Sequence, residues 1–169
     1  MQMDMFGDER AFLAKQRKAW GEAIRADGGI CPCCDRKGKI HRYPITQTLA
    51  LALRWIATHG VEKDNGFVKM GDNAPAFINV SKTFSTLQHW GLIEPKQGRS
   101  NFWRATLKGW NFMLGHITVP KAVFIYNKKI FGFDDSEVTY RQCFDIEFNF
   151  NELMSSQFRW ENIKGTGND

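Results

Sequence analysis

Residues 83–115, TFSTLQHWGLIEPKQGRSNFWRATLKGWNFMLG, decide the fold. An amphipathic helical stretch ends at Gly91, because glycine commonly terminates helices. Short runs of alternating polar and apolar residues then lie on either side of a turn at Gly98. A further helical turn begins at Thr106, whose side chain is a favourable N-cap. The stretch therefore predicts a helix, a two-stranded hairpin and another helix.

The residues on either side of this stretch supply the rest of an α+β protein. An amphipathic helix is predicted over 8–27, a second helix over 46–59, and a third over 81–90 that leads into the hairpin. A second hairpin is predicted around Asn127 and Lys128. The predicted organisation is an N-terminal helix and cysteine loop over 1–44, a core over 45–115, a C-terminal hairpin and helix extension over 116–160 packed on the same core, and a tail over 161–169.

The core segment resembles the helix and wing of winged helix-turn-helix DNA-binding domains. In that family the helix ends in a Leu-x-x-x-Gly-Leu-Ile-Glu pattern, and the second wing strand ends in a Leu-Thr-x-x-Gly pattern. The positions that match are Leu87, Gly91, Leu92, Ile93, Glu94, Thr106 and Gly109, although Leu107 follows the threonine here instead of preceding it. The resemblance covers about residues 45–115 and implies a winged helix-turn-helix core. Because such folds also serve as protein-docking scaffolds, it concerns fold more than partner.

The charge is unevenly distributed along the chain. Residues 95–133 carry seven Lys and Arg and no Asp or Glu, whereas residues 134–169 carry three Lys and Arg against eight Asp and Glu. A local excess of cations indicates a surface that meets a polyanion. A chance shortage of carboxylates in sheet segments is the alternative explanation.

The predicted partner is double-stranded DNA. A recognition helix places its polar face in the major groove, where Gln88 can read adenine and Lys82 can meet phosphate or guanine. The wing residues Lys96, Arg99 and Arg104 are expected to contact the phosphate backbone. The alternative is that the helix 81–90 is a core element with an ordinary polar outer side.

Tryptophans interleaved with these cations raise a second possibility. Aromatic rings beside basic residues also suit the stacking of single-stranded bases. At the spacings of Trp90, Trp103 and Trp110, however, indoles are more often part of a core. We therefore expect these three side chains to be core residues.

The cysteine loop, GGICPCCDRKGKIHRYP, predicts a zinc site. Cys31 and Cys34 form a Cys-x-x-Cys pair that resembles half of a zinc ribbon or knuckle, and His41 is the expected third ligand. Cys33, His59 and Cys143 are further candidates, because a structural site needs four ligands. Two alternatives stay open: a thioredoxin-like redox pair, and reduced cysteines that only pack.

No sequence motif of a catalytic site is found. The sequence has no Walker A loop, no His-Glu-x-x-His and no Gly-x-Ser-x-Gly, and its four histidines are scattered. No apolar run approaches the roughly 18 residues of a membrane helix, and no secretory signal is visible. We therefore expect a non-enzymatic cytoplasmic protein that does not enter membranes.

Residues 28–56 are also loosely similar to uncharacterised bacteriophage proteins that carry a Cys-Pro-x-Cys loop, a likeness that implies no known activity. The primary hypothesis is a DNA-binding transcriptional regulator or accessory factor of a phage, acting in the host cytoplasm. The alternative is a protein-interaction module that binds and modulates a host protein, with the acidic C-terminal third and exposed aromatic residues forming the contact.

Overall fold

The computed structural model describes residues 7–61, 64–71, 74–81, 83–155 and 157–163. Helices and strands are mixed along the chain, which confirms the α+β prediction at that level. The chain divides into two compact units. The first unit contains the described residues up to Arg42 together with residues 124–132, and the second contains residues 43–123 and the described residues from Phe133 onward.

The first unit is built on one long helix and a small hairpin. Helix α1 (Gly7–Arg25) is followed by strands β1 (Gly29–Ile30) and β2 (Lys37–Gly38), which pair antiparallel. Ile24 is buried, and the Trp20 ring lies edge-on to the Tyr126 ring with centroids 6.0 Å apart. The predicted N-terminal helix is thus confirmed over most of its length.

The remaining elements follow in chain order: β3 (His41–Pro44), α2 (Gln47–Gly60), β4 (Val68–Lys69), α3 (Ala76–Ser81), β5 (Ile93–Lys96), β6 (Arg99–Ala105), α4 (Leu107–Met113), β7 (Val119–Pro120), β8 (Ala122–Tyr126), β9 (Lys129–Phe133), β10 (Glu137–Val138) and α5 (Phe150–Met154). Short 3-10 helices occupy Asp64–Gly66, Thr83–Trp90, Arg141–Cys143 and Trp160–Asn162. The sheets have strand orders β3-β8-β9, β4-β6-β5 and β10-β7.

Helix α2 is the centre of the second unit. Thr46 caps it, because its side chain accepts a hydrogen bond from the Leu49 backbone amide at 3.4 Å. Leu53 and Ile56 are completely buried, and burying each such side chain stabilises the fold by roughly 1.5–3 kcal/mol. The Tyr140 hydroxyl donates to the Ala50 carbonyl at 2.9 Å, so the segment around Tyr140 packs on this helix.

Both predicted hairpins form. The turn between β5 and β6 places Gly98 at a φ of 73°, which favours glycine. The turn between β8 and β9 holds Asn127 and Lys128 at φ values of 47° and 63°, as a two-residue type I′ turn requires. Residues that tolerate positive φ therefore predicted the positions of both hairpins correctly.

The end of the second hairpin belongs to the first unit. Residues 124–132, which include the β8–β9 turn, cluster with the N-terminal helix. The reason is local contact: Tyr126 meets Trp20, and the Arg25 guanidinium lies over the Phe131 ring at 5.3 Å. Of the predicted tail, residues 164–169 lie outside the described residues.

The third helix, predicted over 81–90, forms as a 3-10 helix and not as an α-helix. Helix α3 ends at Ser81, and a separate 3-10 helix spans Thr83–Trp90. The Thr86 hydroxyl donates to the Thr83 carbonyl at 2.7 Å, a side-chain bond that competes with α-helical hydrogen bonding. Among the residues that the structure describes, no helix has the length and apolar character that a bilayer span needs.

Candidate nucleic-acid interface

The sheet β4-β6-β5 has one buried side and one side that carries the predicted cations. Trp103 pairs with both Val68 and Pro95, and its side chain is buried. Its neighbours Phe102 and Arg104 must point to the opposite side, because successive side chains alternate across a strand. The alternation of β6 thus separates the core tryptophan from the cationic residues.

The three predicted wing cations all lie against the rings of two phenylalanines. The Lys96 ammonium lies 5.4 Å from the Phe67 ring centre and 6.0 Å from that of Phe102. The Arg99 guanidinium lies 5.5 Å from the Phe102 centre, and that of Arg104 lies 4.6 Å from the Phe67 centre. We call these five residues the cation–aromatic face. Cation–π attraction holds the charges close together on one side of the sheet.

The three cations are not equally available. The Arg104 Nε donates to Glu94 Oε1 at 2.5 Å, and its guanidinium also donates to the Asn65 carbonyl at 3.3 Å. Arg99 is exposed and Lys96 is half-buried, and both lie over aromatic rings. Arg104, which was predicted as a phosphate contact, is thus already engaged in an ion pair with Glu94.

The 3-10 helix beside the hairpin presents only part of its predicted face. Leu87 and Trp90 are buried, and the Trp90 indole donates to the Pro120 carbonyl at 2.8 Å. Gln88 is exposed, as the DNA-reading prediction requires. His89 is half-buried, and burial lowers the pKa of its imidazole. Lys82, the other predicted contact of this helix, lies outside the described residues.

The spacing of the apolar residues on the inner side of this helix favours a 3-10 helix. Phe84, Leu87 and Trp90 recur at every third residue, and side chains three apart eclipse one another in a 3-10 helix. An α-helix would rotate such a row steadily away from the core. The spacing therefore favours the observed geometry over the predicted one.

The core interpretation of the tryptophans is confirmed for two of them. Trp90 and Trp103 are buried, so neither indole offers a free face to a nucleic-acid base. Trp110 is half-buried in α4. Phe67 and Phe102, which were not among the predicted site residues, are the aromatic side chains that lie beside the cations.

The predicted zinc ligands lie in the first unit, in and after a closed turn. The Cys31 backbone amide donates to the Arg36 carbonyl at 2.9 Å, and the Asp35 amide donates to the Cys31 carbonyl at 2.9 Å. Backbone hydrogen bonding from Cys33, and weaker bonding from Cys34, lowers the pKa of the Cys31 thiol. All four cysteines of the chain are free thiols.

His41 does not complete a set of donors. Within the described ranges, no three His, Cys, Asp or Glu side chains are grouped so that they could hold a metal ion. Cys143 lies in the second unit, where its thiol donates to the Thr139 carbonyl at 3.5 Å and burial raises its pKa to about 12. His59, also in the second unit, stacks on the Trp55 ring at 4.6 Å. The zinc prediction itself stays a prediction.

Comparison of the chain with protein-family models, with curated proteins and with solved structures finds no match.

Proposed function

We propose that the chain is a non-enzymatic winged-helix protein that binds double-stranded DNA, as a transcriptional regulator or an accessory factor. The order of elements supports this interpretation: three helices, α2, α3 and the 3-10 helix Thr83–Trp90, precede the β5–β6 hairpin. Strand β4, between the first two helices, joins that hairpin in one sheet. The helix and the wing are then neighbours in the chain, as groove readout beside backbone contact requires.

The convergence of the cations carries the proposal. Lys96, Arg99 and Arg104 would serve no common purpose if they pointed in different directions. Instead they share two rings, with Lys96 within about 6 Å of both ring centres. DNA carries one charge per about 1.7 Å of helix axis, so a compact set of cations can neutralise several phosphates at once.

The three cations are expected to differ in how readily each contacts a phosphate. Arg99 is exposed, so it meets a phosphate at the lowest desolvation cost. Lys96 follows, because it is half-buried between two rings. Arg104 contributes least, because a phosphate must compete with the carboxylate of Glu94 for the same guanidinium. The exposed amide of Gln88 supplies base readout without charge.

A salt titration tests the phosphate contacts. Binding of a fluorescent DNA duplex is measured by anisotropy between about 50 and 200 mM salt, where each lost phosphate contact reduces the slope of log K against log salt by about 0.9. The double variant Lys96→Ala with Arg99→Ala is expected to reduce the slope by about 2.

A second double variant distinguishes the effect of the cation–aromatic face from the effect of net charge. Lys121→Ala with Lys129→Ala removes the same charge at exposed positions that take no part in the cation–aromatic face. This variant is expected to change the slope by less than about half as much as Lys96→Ala with Arg99→Ala does, because phosphate contacts and not net charge determine the slope. Equal losses in both pairs would show that the face has no special role.

Base readout is tested separately at Gln88. Selection of preferred duplexes from a random pool should yield a different preference for Gln88→Ala, while its salt slope stays that of the wild type. A variant that selects the same sequences would remove this residue from the proposal.

A protein-interaction module remains the second candidate, and exposed apolar side chains of the first unit favour it. Phe12 is 60% exposed and Ile30 is 66% exposed, and Phe131 is 46% exposed. Exposed apolar patches commonly mark protein contacts. No duplex binding at low salt, together with salt-insensitive binding to a protein partner, would favour this candidate.

A further inference from the structure

The cysteine turn offers a pair of thiols at the end of a hairpin. Strands β1 and β2 pair Gly29 with Gly38 and Ile30 with Lys37, and the turn lies between them. Two backbone hydrogen bonds of Cys31, to Asp35 and to Arg36, close the turn. The Asp35 backbone has a φ of 55°, a conformation that reverses the chain directly after Cys34. The spacing between Cys31 and Cys34 is therefore set by the backbone.

One chain does not complete a structural zinc site with its described residues. Such sites are tetrahedral and closed by four nitrogen or sulfur ligands. No group of three suitable donors occurs among the residues that the structure describes, so the turn supplies at most two. Cys33 directly precedes Cys34, and adjacent residues cannot easily bind one ion together with Cys31.

The cysteine turn is exposed, so the same turn of a second copy of the chain can approach it. Cys33 and Cys34 are exposed, and Cys31 is half-buried. Ile30, next to Cys31, is 66% exposed and would be covered by a facing copy. Contact between two turns thus removes apolar surface from water as well as bringing four thiols together.

The net charge around the turn is opposite in sign to that of a tetrathiolate zinc centre. Four thiolates and one Zn²⁺ carry a net double negative charge, which cationic side chains stabilise. Arg36, Lys37 and Lys39 follow the cysteines after Asp35, and all four of these residues are exposed. A second copy contributes the same cations, so the centre would be surrounded by compensating charge.

We propose that Cys31 and Cys34 from two copies of the chain bind a single zinc ion and join the copies into a dimer. Each thiol releases its proton as its sulfur binds the metal, and no oxidation is involved. Cys33 stays outside the coordination sphere. The proposal does not depend on DNA binding, because it concerns the first unit alone.

The test measures zinc and mass together on the full chain. Protein kept reduced with a phosphine is titrated with Zn²⁺ alone, and sedimentation gives its mass with and without a chelator. We expect about half an equivalent of zinc per chain and a dimer that the chelator dissociates. One zinc per monomeric chain, or no zinc binding, would overturn the proposal.

Substitutions identify the ligands. Cys31→Ser and Cys34→Ser should each abolish zinc-dependent dimerisation, while Cys33→Ser, in the same turn, should retain both the ratio and the mass. Circular dichroism confirms that each variant is folded. With Co²⁺ in place of zinc, the charge-transfer absorption should correspond to four thiolates, and a two-thiolate spectrum would contradict the shared site. A dimer that persists in Cys31→Ser would likewise show that zinc is not what joins the copies.

Discussion

Replacement of Gly109 by alanine tests the contact that fixes α4 against the start of β5. A Cβ atom at Gly109 would lie far inside van der Waals distance of the Leu92 carbonyl oxygen, and 3.3 Å from Leu53 Cδ1. Thr106 fixes the same contact, since its amide donates to the Leu92 carbonyl at 3.0 Å and its hydroxyl donates to the Gly91 carbonyl at 2.6 Å. The helix cannot move away without breaking these bonds.

The size of the effect follows from three contributions. Forcing a methyl group into a well-packed site costs about 1–3 kcal/mol. Weakening one backbone hydrogen bond between Thr106 and Leu92 costs about 1 kcal/mol. Alanine regains about 1 kcal/mol over glycine through its helix propensity. The net expectation is that Gly109→Ala lowers the free energy of unfolding by about 2 kcal/mol.

Urea denaturation followed by tryptophan fluorescence measures this change. With a slope of about 2 kcal/mol per molar urea, the midpoint should fall by about 1 M. Gly21→Ala is the matched control, because Gly21 also lies in a helix but a Cβ there meets only the Arg25 side chain, at 3.5 Å. The control should keep or raise its midpoint. If Gly109→Ala were as stable as the wild type, the close approach of α4 to Leu92 would be refuted.

Three further predictions follow from individual contacts. Glu94→Gln should raise duplex affinity by up to about fivefold at low salt, because it frees Arg104 from an exposed ion pair; unchanged affinity in the anisotropy assay would exclude Arg104 as a contact. Tyr140→Phe should cost about 1 kcal/mol in urea denaturation, since the buried hydroxyl loses its bond to Ala50. Burial raises the pKa of Cys143 to about 12 from 9.0. The contribution of this thiol to the free energy of unfolding is therefore complete below pH 9 and is lost as the pH rises toward 12. The urea midpoint should therefore fall between pH 9 and 11, and fall less in Cys143→Ala; equal slopes would contradict this.

Local sequence signals located most elements of the fold. Thr46 and Thr106 were predictable as caps, because their hydroxyls can accept from backbone amides at the start of a helix. The turns at Gly98 and at Asn127 and Lys128 were predictable from residues that tolerate positive φ. In these cases a few neighbouring residues determine the conformation.

The composition of the cation–aromatic face was not predictable in the same way. A simple two-residue turn would pair Glu94 with Asn101, but an irregularity between Pro95 and Lys96 shifts the register so that Glu94 faces Arg104. Phe67 joins the face only because the two-residue strand that follows it pairs with β6. Register shifts and short strands depend on tertiary contacts, which a single sequence does not reveal.

The first unit is made from two stretches of chain that are far apart in the sequence. Its helix packs Trp20 against Tyr126, which is synthesised about a hundred residues later. At roughly 5–20 residues per second, the ribosome needs on the order of 5 to 20 seconds to produce that partner. The nascent α1 therefore lacks the ring contact of Trp20 with Tyr126 while the intervening residues are translated. A fragment that stops before residue 124 lacks Tyr126, and one that starts after residue 20 lacks Trp20, so truncation from either end removes this contact of the first unit.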